Sequence, residues 1–162
     1  MIKEILTNTN ILEELMKDLI VESKLSLPND VPIAAGIYEI IDEVPKLIVK
    51  SHNTTETLFD PTNHAEMSAI REATSQRNDW RLENYFLVST LEPCIMCTGA
   101  LVQSRIGGVF FGAYDKQYGA CGSIYNFLSD PRLNHNTVVV GGILESDCSE
   151  VLNSFFSQLR KH

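Results

Sequence analysis

A chain of 162 residues with 44% hydrophobic and 21% charged side chains has the size and balance of one folded domain, not of a disordered or membrane-embedded protein. No apolar run approaches the roughly 18 residues of a membrane span, and the start, MIKEILTNTN, lacks the apolar core of a secretory signal. Thirteen Lys and Arg against 21 Asp and Glu leave a formal net charge of -8 and a pI near 4.9, so the global field repels polyanions and any nucleic-acid site must be a local patch.

The expectation is therefore one domain over residues 1–162, in the cytoplasm and away from membranes. Residues 10–24, NILEELMKDLIVESK, carry apolar pairs at 11/12, 15/16 and 19/20, the stripe of a helix packed on one side. VPIAAGIYEII (31–41) and KLIVKS (46–51) flank an acidic turn at 42–45 and predict a two-stranded hairpin. Residues 52–63 are polar and predict a loop, and HAEMSAIREAT (64–74) has the composition of a helix. YFLVST (85–90) predicts a strand, 93–103 a helix, GVFFGA (108–113) and TVVVGGIL (137–144) strands, and 147–161 a closing helix. Within the Gly- and Asp-punctuated segment 114–136, SIYNFL (123–128) predicts one short helix. Strands alternating with helices imply parallel pairing in the second half, and the hairpin adds antiparallel contacts. The predicted fold is α/β, a five-stranded mixed sheet covered by helices.

Two motifs carry chemistry. Taken alone, His64-Ala65-Glu66 at a helix start is polar decoration as readily as a site. In PCIMC, Pro93 suits a first helical turn, and Cys94 and Cys97 at i, i+3 share a face there. Unpaired backbone N–H groups and the helix dipole at that end favour thiolate over thiol. By itself the pair also fits a buried structural pair or a redox couple. Together the motifs supply one imidazole and two thiolates, three ligands of the kind zinc prefers, with a fourth position for water. Cys121, in a Gly-rich loop, and Cys148, on the final helix, are the remaining candidates to close the site and lack such spacing.

Residues i and i+2 of a helix point about 200° apart, so His64 and Glu66 can serve one metal only if His64 sits at the entry turn. The preceding Asp60-Pro61-Thr62-Asn63 offers caps that would put it there. Zinc lowers the pKa of water from 15.7 to about 7. A carboxylate alongside can take the water's proton and deliver it to a ring nitrogen and a departing amine. H-x-E…P-C-x-x-C is the general signature of zinc nucleobase deaminases.

With DPTNHAEMSAI, TLEPCIMCTGALVQSRI, VFFGAYD, GACGS, LNH and SFFSQLR in this order, residues 31–161 resemble the bacterial tRNA-specific adenosine deaminases of the cytidine deaminase superfamily. The resemblance implies a three-layer fold with helices on both faces of the sheet. It implies one Zn2+ per subunit held by His64, Cys94 and Cys97, with Glu66 as proton shuttle. Hydroxide would attack C6 of the wobble adenosine in a tRNA anticodon stem-loop, leaving inosine. It implies a homodimer, and substrate contacts from Asn53, Asp115, Lys116, Phe156 and Arg160. At most one of Phe155 and Phe156 should face the nucleotide. Tyr114 and Tyr118 either join them or pack their loop on the sheet. The chain departs from the family in Asn63, where an alanine is usual, and in Thr54 and Thr55, where a basic residue is usual. Ala34 stands where a glycine is usual, and Lys116 and Gln117 follow Asp115 differently. The same chemistry on a free base, guanine or cytosine, and a non-catalytic zinc-stabilised interaction subunit are the alternatives.

Overall fold

A computed structural model describes residues 9–161, so the expectation drawn from the first ten residues falls mostly outside the described residues. The first helix, α1 (Thr9–Ser23), runs on into a single 3-10 turn at Lys24–Ser26, and buries Leu12, Met16 and Leu19 along one stripe. The strands β1 (Ala34–Ile41) and β2 (Val44–His52) form the expected hairpin. Its turn is tighter than the sequence suggested: Asp42 and Glu43, both at positive φ, make a two-residue connection, and Pro45 already pairs with Ile40. Between Ile37 and Tyr38 the register shifts, leaving Ile48 as an extra residue on β2.

The polar segment 52–63 is not all loop. It holds a one-turn helix, α2 (Thr55–Leu58). Beyond it come α3 (Ala65–Arg77), β3 (Tyr85–Leu91), α4 (Ile95–Gln103), β4 (Gly108–Ala113), β5 (Val138–Val140) and α5 (Glu145–Leu159). Four expected elements are shorter than predicted: β1 begins at Ala34 and α4 at Ile95, and two others are cut back further. The strand expected over 137–144 stops at Val140 because Gly141 crosses the Phe111 ring, where a Cβ would sit 2.4 Å from ring carbons. Gly142, at φ 85°, then turns the chain towards α5. Of the helix expected over 123–128, only a 3-10 turn at Phe127–Ser129 forms.

The sheet order is β2-β1-β3-β4-β5, with the first three strands antiparallel and β3, β4 and β5 parallel. This is the predicted five-stranded mixed sheet. Alternate side chains feed two cores. Ile37, Leu87, Val109 and Phe111 pack with Ala69 and Ala73 of α3 and Leu101 of α4. Tyr38, Phe86, Val88 and Phe110 pack on the other face with Leu12 and Met16 of α1 and Cys148 of α5. Because both faces are covered, β4 is buried throughout and β3 in all but its last residue, which explains their unbroken apolar reading. Phe86 stacks on Tyr38 at 5.3 Å and meets Phe110 edge-on at 5.6 Å; burying each such ring contributes about 1.5–3 kcal/mol. Small residues permit close layers: a Cβ on Gly112 would lie 2.3 Å from Cys148 Sγ.

Candidate active site

The two helices on one face of the sheet begin side by side, and the site is built from their first turns. His64 is the residue at which α3 starts; it is extended, at φ -67° and ψ 154°, and its carbonyl accepts the Ser68 amide at 3.0 Å. Cys94 stands in the same relation to α4, at φ -73° and ψ 178°, with its carbonyl accepting the Thr98 amide at 2.8 Å. Cys97 follows within the first turn of α4 and is fully buried. The entry-turn position required of His64 is thus met, and Glu66 lies buried one residue inside α3.

His64 Nδ1 lies 3.6 Å from Cys94 Sγ and 3.6 Å from Cys97 Sγ, and the three ligand atoms all fall within 4.8 Å of one another. Zinc bound at ~2.05 Å to nitrogen and ~2.3 Å to sulfur, at the tetrahedral angle, needs N···S separations of about 3.6 Å. The donor set and its spacing fit zinc. Among the described residues no fourth side chain joins this cluster. Cys121 Sγ instead meets Thr98 Oγ1 at 3.3 Å, and Cys148 packs under Gly112.

The protons are distributed to suit. The Cys97 thiol beside Cys94 and, after it, the His64 ring lower the Cys94 pKa to about 4 against the opposing cost of burial, which favours the thiolate there. The hydrogen bond with Cys94 and burial hold the Cys97 thiol well above the ordinary thiol range, and a bound cation would displace its proton. Burial raises the Glu66 carboxyl to about 7, with the Cys94 charge adding to it. A carboxyl at that value can both take and give a proton at neutral pH.

These residues open on a cavity of about 890 Å³. Asn53, Asp115, Lys116 and Phe156 line it together with His64, Glu66 and Cys94; Arg160, the residue that ends α5, does not. Phe155 is 7% exposed and Phe156 43%, so one ring of the pair turns inward and the other reaches the cavity. Asn53 also acts as a turn residue: its side chain donates to the Val31 carbonyl at 3.2 Å and accepts from Thr55 Oγ1 at 2.7 Å. Asp115 accepts from the Gln117 and Tyr118 amides, at 2.9 and 3.1 Å, and shapes the loop that presents Lys116. Tyr114 packs edge-on against Phe111 at 5.1 Å, whereas Tyr118 stands 65% exposed at the cavity.

Among the described residues, the cavity lining holds no local basic patch of the kind expected of a nucleic-acid site. The charged lining is Lys116 against Glu56, Glu66, Glu92, Asp115 and Glu145, so any polyanion must be held here by stacking and hydrogen bonds more than by charge. Sequence reasoning also passed over Asp30, which is 1% exposed and accepts the Glu56 and Thr57 amides, pinning α2 beside the cavity. An acidic residue in a loop gives no periodic signal, and only the fold shows what it caps. Asn63 proves to be a bridge. Its amide donates to Thr54 Oγ1, and its carbonyl oxygen accepts from Ser68 Oγ at 3.0 Å and Arg71 Nη1 at 3.4 Å.

Comparison with known proteins agrees with this geometry. The cytidine and deoxycytidylate deaminase zinc-binding region matches residues 9–113. The tRNA-specific adenosine deaminase of Bacillus subtilis is 44% identical over 147 residues, 90% of this chain and 89% of that protein. That of Aquifex aeolicus is 47% identical over 133 residues, 82% and 85% of the two. A structure solved in a study of A-to-I editing by tRNA:A34 deaminases superposes with a TM-score of 0.76 at 36% identity, covering 85% of this chain and 97% of the other. Guanine deaminase from Nitrosomonas europaea, at 18% identity and a TM-score of 0.73 over 93% of this chain and 85% of its own, shares the fold. With a cluster of His64, Cys94 and Cys97 that fits zinc and relatives of this identity over most of its length, the chain belongs to the zinc-dependent deaminases of the cytidine deaminase superfamily, among the tRNA-specific adenosine deaminases.

Proposed function

We propose that this protein hydrolyses the C6–amine bond of the wobble adenosine in a tRNA anticodon, giving inosine and ammonia. The observation that carries the reading is the triangle of His64, Cys94 and Cys97 beside a buried Glu66, at a cavity large enough for more than one nucleotide. Zinc held by that triangle supplies a Lewis acid that makes water a nucleophile at neutral pH. Glu66 takes a proton from the attacking water and passes it to N1 of the adenine. A second proton, again through Glu66, leaves with the amine as ammonia, so the carboxylate ends as it began. Asn53 orients the base from the cavity wall, and the Phe156 and Tyr118 rings provide faces for it and its neighbours. Asp115 and Lys116 meet the sugar and backbone, and Arg160 meets the RNA beyond the cavity rim. An anticodon loop is single stranded, so splaying out one base costs little. The protein acts in the cytoplasm as a homodimer with one zinc per subunit.

The acidic lining favours one alternative, an uncharged free base such as guanine or cytosine. A purely structural zinc site has no use for a buried carboxylate beside it, which argues against a non-catalytic subunit. The test is to assay the zinc-loaded protein for inosine in an adenosine-containing anticodon stem-loop, beside free guanine, cytosine and adenosine, with Glu66→Ala as control. Inosine in the stem-loop, absent with Glu66→Ala, is the expected result. Conversion of a free base and not the stem-loop would overturn the RNA reading, and no conversion of anything would overturn catalysis.

A further inference from the structure

Glu92 lies between β3 and the metal ligand Cys94, is 1% exposed, and has no role in the chemistry above. Each of its carboxylate oxygens accepts two hydrogen bonds from one distant loop. Oε1 receives the Cys121 amide at 3.0 Å and the Ser123 amide at 2.9 Å. Oε2 receives the Asp115 amide at 3.0 Å and the Ser123 hydroxyl. All four donors come from the segment 115–123, which carries Asp115, Lys116 and Tyr118 to the cavity.

The segment closes around the carboxylate. A Cβ on Gly119 would lie 2.5 Å from the Glu92 carboxylate and 2.5 Å from the Asp115 carbonyl, so only glycine lets the backbone pass there. The same segment is stitched to the metal-ligand turn. Gly119 bridges Cys94, and the Ala120 amide donates to the Pro93 carbonyl at 2.9 Å. Among the described residues no ion pair reaches Glu92; the loop's own N–H and O–H groups satisfy its charge. A buried carboxylate answered only by one loop's donors fixes that loop's shape, because any other shape leaves the charge unsatisfied.

We infer that Glu92 is a positioning residue for substrate binding: its carboxylate holds the segment 115–123 so that Asp115, Lys116 and Tyr118 stand at a fixed distance from the metal ligands. The inference rests on the RNA reading for its kinetic test, and on geometry alone for its structural one. Glutamine is the informative replacement, since it is isosteric but turns an –NH2 group towards two donors. The metal ligands are untouched by it.

For Glu92→Gln, zinc stoichiometry stays at one per chain, and KM for the stem-loop rises by about tenfold or more while kcat changes by less than about threefold. Ser123→Ala, which removes one of the four bonds, shows the same split in milder form and decides the question if Glu92→Gln fails to fold. Loss of zinc, or a fall in kcat at unchanged KM, would make Glu92 a support of the metal centre and overturn the inference; so would an unchanged KM in Ser123→Ala alone. Should the wild-type protein not act on the stem-loop, amide hydrogen exchange still tests Glu92. Faster exchange at Asp115, Cys121 and Ser123 in both variants, with α3 and α4 unchanged, is expected, and unchanged exchange there would sink it.

Discussion

The side-chain amide of Asn63 donates to the hydroxyl of Thr54, joining the residue before the candidate ligand His64 to the residue after Asn53. The bond is doubled by the main chain, where the Thr54 amide meets the Asn63 carbonyl at 3.4 Å. Two loops that contribute to one cavity are thus tied edge to edge. An alanine at position 63 leaves the main-chain link and removes three side-chain bonds, each worth about 0.5–1.5 kcal/mol when formed between polar groups. Because the site is partly exposed, water recovers some of that. Asn63→Ala is expected to lower unfolding free energy in urea by about 1–2 kcal/mol and to reduce kcat/KM a few-fold, with zinc content unchanged.

Metal removal separates the four cysteines. Cys94→Ser and Cys97→Ser should purify with little zinc and no activity, whereas Cys121→Ala and Cys148→Ala keep one zinc per chain, measured by metal analysis. Chelation of the wild-type protein should abolish activity and lower its melting temperature, because a metal bound only by the folded state stabilises it by mass action. Zinc, and not magnesium, should restore both, since two of the three ligands are sulfur.

Phe155 and Phe156 are adjacent, their ring centroids 5.3 Å apart, and should respond oppositely to the same change. Phe155→Ala removes a buried ring from the side of α5 that shares a groove with Ile20 and Leu27, and should cost about 3–5 kcal/mol of stability. Phe156→Ala should leave stability nearly untouched and weaken stem-loop binding by about tenfold, the loss of one stacking face. The logarithmic salt slope of that binding should be shallow, about one to two, since Lys116 and Arg160 are the cations assigned to the RNA.

Cys148 gives a pH dependence whose direction follows from its surroundings. Burial, with Asp147 adding to it, raises its thiol to about 12, against about 8.5 for a thiol in the unfolded chain. The folded state therefore holds this proton more tightly, so the stability it confers is complete below about pH 8.5 and is lost as the pH rises towards 12. The difference in unfolding free energy between wild type and Cys148→Ala should narrow across that interval. Over the same range Cys148 should resist alkylation by iodoacetamide until the protein unfolds.

The candidate metal cluster was legible because its signals are local. His64 and the Cys94–Cys97 pair each sit at a helix start that capping residues and Pro93 announce, and only the 3.6 Å convergence of the two starts needed the fold. The sheet was legible for a similar reason, since β3 and β4 are apolar runs of strand length. What was hidden depends on partners far along the chain. Glu92 finds its donors 23 to 31 residues later. Asp30 caps α2 26 residues away, turning a polar stretch into a helix that composition did not suggest. The end of β5 is set by the Phe111 ring, which a valine run cannot foresee.

The extra residue on β2 has a consequence for the protein outside its reaction. β2 is an outer strand of nine residues, long enough to template another chain's backbone and seed aggregates. The bulge at Ile48 bends that rim, Pro45 withholds a donor near its start, and Lys50 is drawn back onto Asp18 of α1 at 3.0 Å. The opposite rim, β5, is three residues long. Among the described residues neither border offers a straight run of free amides, which disfavours edge-to-edge stacking of one folded copy on another.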